Sequence, residues 1–219
     1  MIPALTHQTA ASSDLPEWGR LLRQKVVDLH PRWEHRFYDD GACRALMAAE
    51  LPSLLRIYDA YATGVQRADL FRVAAVYVSG GFYLDVDVDV HRAFDSFRNE
   101  HVVLAEETIL TPGQAARLGN VHRQRIANYL FGSEPRHPFW LDVLEEMIRR
   151  ASRPIARDED ILESTGPGLF TDVYHSARPR YPDIVLVRNE GLLCARCGGI
   201  ACQFGEFASH LHVGSWRGI

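Results

Sequence analysis

Between Val65 and Asp89 the chain runs from a helical pattern through two glycines into a short apolar stretch, then into three aspartates at alternate positions. Leu70, Val73, Ala74, Tyr77 and Val78 recur at helical spacing, and Gly80-Gly81 supplies the stop. Phe82-Tyr83-Leu84 reads as a short buried strand leading into Asp85-Val86-Asp87-Val88-Asp89. Few folds place a helix, a strand and an acidic run in such close succession. An α/β sheet with its chemistry at a strand end is the one this order suits best.

The flanking sequence agrees. Ile2 to Thr6 reads as an opening strand, and Asp14 sits at a capping position before Pro16 and the apolar face of Leu21, Leu22 and Val26. Trp33 to Tyr38 alternates like a strand, and Asp39-Asp40-Gly41 turns it into a helix through Glu50. Further on, His101 to Ala105 reads as a strand, Pro138 to Arg150 and Gly168 to Ser176 as helices, and Ile184 to Val187 and Ser209 to Val213 as late strands. Arg153 to Asp160 reads as a polar surface loop. No internal repeat or low-complexity tract interrupts the 219 residues, so one domain spanning 1–219 is expected.

If the strand continues through the acidic run, Asp85, Asp87 and Asp89 project to one side and Val86, Val88 and Val90 to the other. Carboxylates about 7 Å apart or closer repel one another unless a cation neutralises them, and hard oxygen ligands suit Mg²⁺ or Mn²⁺. A solvated edge strand with alternating charge is the plainer alternative. Three chemistries use such clusters. A polymerase-β-like nucleotidyltransferase needs a Gly-rich turn well upstream, whereas Gly81 stands only just before Asp85. A haloacid-dehalogenase-like phosphatase using Asp85 and Asp87 wants a downstream lysine, and Lys25 is the only lysine in the chain. The third is a nucleotide-sugar-dependent glycosyltransferase, in which an Asp-x-Asp pair holds a divalent ion on the donor's diphosphate.

The segment Arg67-Ala68-Asp69-Leu70-Phe71-Arg72 … Gly80-Gly81-Phe82-Tyr83-Leu84-Asp85-Val86-Asp87 resembles the Asp-x-Asp sugar-binding region of glycosyltransferase family 32. It is also similar to the core of the large glucosylating bacterial toxins. Ile2-Pro3 … His7-Gln8-Thr9, Asn128, His137-Pro138, Thr165-Gly166-Pro167 and His210 … Gly214-Ser215-Trp216 follow in the family's order. Thr9 is followed by Ala10, where the family often has a tryptophan.

The resemblance implies a GT-A fold, a Rossmann-like nucleotide-binding sheet with flanking helices, and transfer with retention of anomeric configuration. It implies a donor site of His7, Gln8, Thr9, Asp69, Arg72, Tyr83, Asp85, Asn128, Gly166, Ser215 and Trp216. Within it Asp85, Asp87, Arg72 and Asp69 carry catalysis. Asp87, Asp85 and His210 would hold Mn²⁺ or Mg²⁺, with His212 the local competitor of His210. Asp69 and Arg72 lie one helical turn apart, so a plain surface ion pair is the alternative reading for them. Residues from about 205 to 219 would form a tail closing over the donor. The expected substrates are a UDP- or GDP-sugar and a glycan or lipid-linked acceptor, in bacterial surface polysaccharide synthesis. A sugar-nucleotide-binding module without catalysis is a further alternative.

Net charge of −4 argues against a broad nucleic-acid surface. The sequence shows no stretch suited to spanning a membrane and no secretory leader, so a cytoplasmic protein with peripheral membrane contact is expected. Cys43, Cys194, Cys197 and Cys202 are too few and too clustered for a disulfide framework. The last three read as small buried thiols, with a zinc knuckle as the alternative.

Overall fold

The computed structural model describes residues 1–119, 121–189 and 203–213. The chain opens with β1 (Leu5–Thr9), α1 (Glu17–Leu29), β2 (Glu34–Tyr38), α2 (Asp40–Glu50), α3 (Leu55–Ala60) and α4 (Gly64–Ser79). The acidic segment separates β3 (Gly81–Leu84) from β4 (Val88–Val90). Then follow β5 (Val102–Ile109), α5 (Pro112–Leu118), β6 (Gln124–Ile126), β7 (Leu130–Ser133), α6 (Phe139–Arg150), α7 (Asp158–Ser164) and α8 (Pro167–Ala177). β8 (Ile184–Val187), β9 (Gln203–Phe204) and β10 (Ala208–His210) complete the described elements.

Seven strands form a mixed sheet in the order β2-β1-β3-β7-β5-β6, with β8 also beside β5. β1 is parallel to β2 and β3, and β5 is parallel to β8. β7 runs antiparallel to both β3 and β5, so β1, β2, β3 and β5 all point the same way. Their carboxyl ends therefore share one edge, where Thr9, Tyr38, Asp85 and the end of β5 stand together. β4, β10 and β9 make a small second sheet. The alternation of β3 divides the core: Tyr83 joins one apolar cluster with α2, α4, α6 and α8, and Phe82 and Leu84 join another beneath α1 and the small sheet. No helix among the described residues is long and apolar enough to cross a membrane.

Helix α4 is the axis of this arrangement. Thr63 caps it through a bond from Gln66 N–H, and Leu70, Phe71, Val73, Ala74, Ala75 and Val76 are all buried. It is enclosed nearly all round, which is why it also buries Gln66, Asp69 and Arg72. Gly81 follows at φ +89°, and a Cβ there would stand 2.5 Å from the Leu5 carbonyl oxygen, so β3 approaches β1 only with glycine at this point.

The structure departs from the sequence reading in several places. α1 begins at Glu17 behind Pro16 with no side-chain cap, so Asp14 does not cap it, and the last strand is Ala208–His210 in place of Ser209–Val213. The continuous acidic strand does not form: β3 stops at Leu84 and a turn at Val86–Asp87 intervenes before β4. The expected loop at Arg153–Asp160 ends in α7, whose first turn carries Asp158, Glu159 and Asp160, acids suited to the positive end of a helix. The Asp160 carboxylate accepts from the N–H groups of Ala156 and Arg157. β6 and β7 had no alternating pattern to reveal them, because β7 is buried on both faces, and at Gly132 the Phe82 ring takes the space of a side chain.

His7 lies wholly buried in β1, with Nε2 2.9 Å from the Gly80 carbonyl and Nδ1 3.3 Å from the Tyr38 hydroxyl. Burial pulls its pKa from 6.5 down to about 4. Between those values the unfolded chain binds the extra proton and the folded chain does not, so stability falls as the pH drops through that window. Urea unfolding at pH 7 and pH 4.5 should show a loss of roughly 2–3 kcal/mol at this site, largely abolished in His7→Gln. Equal losses in the two proteins would contradict the assignment.

Candidate active site

The turn after β3 brings the acidic residues together in a way that strand alternation would not. Asp85 N–H donates to the Tyr129 carbonyl, Val88 N–H returns to the Asp85 carbonyl, and the chain reverses between them. Asp85, Asp87 and His210 each offer a ligand atom, and these lie within 4.8 Å of one another. Asp89, expected on the same side, instead leaves the cluster and pairs with Lys25 of α1. With β4 beginning at Val88, Val88 and Val90 enter the core and Asp89 faces the other way.

Behind the acidic turn stands a buried charge cluster. Arg72 Nη2 is 3.2 Å from Asp69 and 3.3 Å from Asp85, Nη1 donates to the Asn128 carbonyl at 2.8 Å, and the guanidinium lies over the Tyr83 ring. Asp69 accepts further bonds from Thr165 Oγ1 (2.7 Å) and Asn128 Nδ2 (3.0 Å). The Tyr83 hydroxyl donates to Asp85 at 2.6 Å. The surface-pair alternative for Asp69 and Arg72 is thereby replaced: their side chains are 4% and 8% exposed.

Burial pushes the Asp69 carboxyl upward against the pull of Arg72, and burial likewise raises Asp85 against Arg72, with Asp87 adding repulsion. For Arg72 burial works against the charge, and Asp85, Tyr83 and Asp69 more than restore it. Asp87 is the opposite case among the carboxyls. Burial opposes its ionisation, but the hydrogen bond and charge of His210 and the Val213 N–H hold it below the usual range. His210 Nε2 is 3.3 Å from Asp87 Oδ1, its ring stacks on Tyr129, and its Nδ1 is buried without a hydrogen-bond partner among the described residues.

A cavity of about 690 Å³ opens over this cluster. Of the expected site residues, Thr9, Asp69, Arg72, Tyr83, Asp85, Asp87, Asn128, Gly166, His210 and His212 line it. His7 and Gln8 do not; both are buried in β1 beneath it. Ser215, Trp216, Cys194, Cys197 and Cys202 lie outside the described residues, whereas Cys43 is a buried free thiol beside Thr9. Of the tail, residues 205–213 are described: β10 pairs antiparallel with β4, and the N–H groups of Leu211 and Val213 bond to the Asp87 carbonyl and carboxylate. Sequence reasoning missed Trp18, which lines the cavity beside Ala10 and Ala11, and missed Thr165 as the partner of Asp69. Glu107 also lines the cavity, whereas Glu106 bonds Gln124.

The donor set fits a divalent ion. Two carboxylates and an imidazole converge, and the carboxyls repel one another as they stand. Oxygen-rich sites of this kind suit Mg²⁺ or Mn²⁺.

Comparison with known proteins agrees with this geometry. The PaToxG glycosyltransferase superposes with a TM-score of 0.61 at 16% identity, covering 81% of this chain and 70% of that one. The fold is GT-A. Residues 16–104 match the family described as "Glycosyltransferase sugar-binding region containing DXD motif". Inositol phosphoceramide mannosyltransferase 3 of Schizosaccharomyces pombe is 30% identical over 182 residues, covering 83% of this chain and 47% of the relative. Glycosyltransferase L373 of Acanthamoeba polyphaga mimivirus is 27% identical over 231 residues, covering 97% and 86%. The chain is glycosyltransferase-family-32-like, and it spans about half the length of the fungal relatives it matches.

The buried cluster makes a stability prediction. Arg72→Met keeps the volume but strands two carboxylates, and urea unfolding should show a loss of about 3–5 kcal/mol. Thr165→Val, which removes one bond to Asp69, should cost about 1–3 kcal/mol. A loss below about 1 kcal/mol for Arg72→Met would mean that the cluster does not hold the fold together.

Proposed function

We propose that this chain transfers a sugar from a UDP- or GDP-sugar to an acceptor hydroxyl, with retention of configuration and with Mn²⁺ or Mg²⁺ held by Asp87, Asp85 and His210. The observation that carries this reading is the meeting of Asp85, Asp87 and His210 at the wall of a cavity on the carboxyl edge of the sheet. The bound ion would neutralise charge on the departing nucleoside diphosphate and so stabilise the leaving group.

The protein's own side chains have distinct parts in the proposal. Arg72 fixes Asp85 and brings a permanent positive charge to the diphosphate side of the cavity. Tyr83 orients Asp85 through its hydroxyl, and Asn128 and Thr165 hold Asp69 for the donor's hydroxyls. Trp18 offers an aromatic face near the ends of β1 and β2, where a base can stack. His210, with the segment through residue 213, closes one side of the cavity, and the remainder of the tail would extend that cover and exclude water.

The S. pombe relative is named for mannosyl transfer to an inositol phosphoceramide. A lipid-linked acceptor, met by peripheral contact with a membrane, therefore stands beside the glycans of surface polysaccharide synthesis as the acceptor class to try. The phosphatase alternative wants a lysine or an arginine in its place; Lys25 pairs with Asp89, and the cavity's Arg72 is held by Asp69, Asp85 and the Asn128 carbonyl.

The test is calorimetric titration with UDP and GDP, with Mn²⁺ and again with EDTA, on wild-type protein and Asp87→Ala. Binding of one nucleotide should require the metal. Asp87→Ala should weaken that binding by about 100-fold or more and abolish transfer, with an unchanged circular dichroism spectrum. Normal turnover in Asp87→Ala, or binding indifferent to EDTA, would contradict the reading.

A further inference from the structure

The strands that end at the cavity fix a direction along it. Trp18, Ala10 and Ala11 stand by the end of β1, Asp85 and Asp87 follow β3, and Glu107 stands near the end of β5, on the far side of β7. A nucleoside-diphosphate sugar is linear in the same sense, with base and ribose at one end, diphosphate in the middle and sugar at the other. With the acidic centre on the diphosphate and the base at Trp18, the sugar falls toward β5.

Glu107 is built to face that end. The register of β5 against β6 shifts between Glu106 and Thr108, so β5 carries one extra residue here, a bulge of the kind that re-aims a side chain. The carbonyls of Glu106 and Glu107 both accept from Asn189 Nδ2. One carboxylate oxygen of Glu107 accepts from Arg125 Nε at 3.0 Å, and Arg125, itself 5% exposed, is anchored on its other side by Glu163 at 2.7 Å. The second oxygen has no partner among the described residues, and the side chain lines the cavity. Glu107 is also absent from the group of residues that could hold a metal. A carboxylate so placed repels phosphate but accepts hydrogen bonds from hydroxyls, and two vicinal hydroxyls match its acceptor-only character.

We infer that Glu107 binds the hydroxyls of the transferred sugar and so helps to decide which nucleotide sugar this chain accepts. The inference rests on the proposed function and deepens it. Arg125 keeps Glu163 as a partner when Glu107 is replaced, so its charge is not left unpaired.

The experiment compares wild-type protein with Glu107→Gln and Glu107→Ala by calorimetry in Mn²⁺. The probes are UDP, GDP, UDP-glucose and GDP-mannose, with thermal melting as the control for folding. A second readout is hydrolysis of the bound nucleotide sugar by water, without acceptor. Both variants should bind the free nucleoside diphosphate as wild type does. They should bind the nucleotide sugar at least about tenfold more weakly, the worth of one charge-assisted hydrogen bond, and hydrolyse it more slowly. Equal weakening of free nucleotide and nucleotide sugar would put Glu107 on the ribose and overturn the inference. So would unchanged nucleotide-sugar binding, or a defect seen only when acceptor is added. Wild-type protein that binds neither UDP nor GDP would overturn the donor reading and this inference with it.

Discussion

One guanidinium organises this protein. Arg72 is buried on α4, and a buried charge is tolerated only where its partners are close and complete. Its partners come from three parts of the chain: Asp69 one turn back, Asp85 at the end of β3, and the Asn128 carbonyl between β6 and β7. Asp69 in turn reaches Thr165, at the start of the run into α8. A single ionic cluster thus ties the central helix to the central strand, the antiparallel strands beside it and the last long helix. The same cluster orients Asp85, so the stability of the fold and the geometry of the acidic turn rest on the same contacts.

Closure of the site depends on a second, long-range constraint. Asp87 receives the Val213 N–H across 126 residues of sequence, and its carbonyl receives that of Leu211. β10 pairs with β4 directly after the acidic turn, which carries His210 to the carboxylates. The turn alone supplies two acids that resist being charged together. The C-terminal strand adds the imidazole and the backbone donors that hold Asp87 ionised. The pairing of the C-terminal strand and the gathering of Asp85, Asp87 and His210 are therefore coupled.

Much of this was legible in the sequence because it is local. The spacing of α4, the paired glycines and the apolar strand are short-range patterns, and Asp69 and Arg72 fall on one face by helical geometry alone. That Asp85, Asp87 and His210 would stand together was expected through the family pattern of residues and not through any local rule. What stayed hidden depends on tertiary context. Periodicity cannot tell a buried ion pair from an exposed one, so the depth of Asp69 and Arg72 emerged only when α2, α6 and α7 packed around α4. The alternation of Asp85, Asp87 and Asp89 suggested one strand, yet Asp89 is drawn away to Lys25 and the chain turns at Val86–Asp87. Trp18 carried no signal because it stands in the first turn of a helix whose role at the cavity comes from the sheet order. Glu107 owes its aim to a bulge, and a one-residue register shift leaves no trace in composition or spacing.

The central claim is that Asp85, Asp87 and His210 form one cation site at the carboxyl edge of the sheet. Diffraction from crystals grown with Mn²⁺, recorded at the manganese absorption edge, addresses it without reference to any substrate. The account predicts a single strong anomalous peak among those three side chains. Well-ordered crystals with no peak there, or with manganese only at other carboxylates, would contradict it.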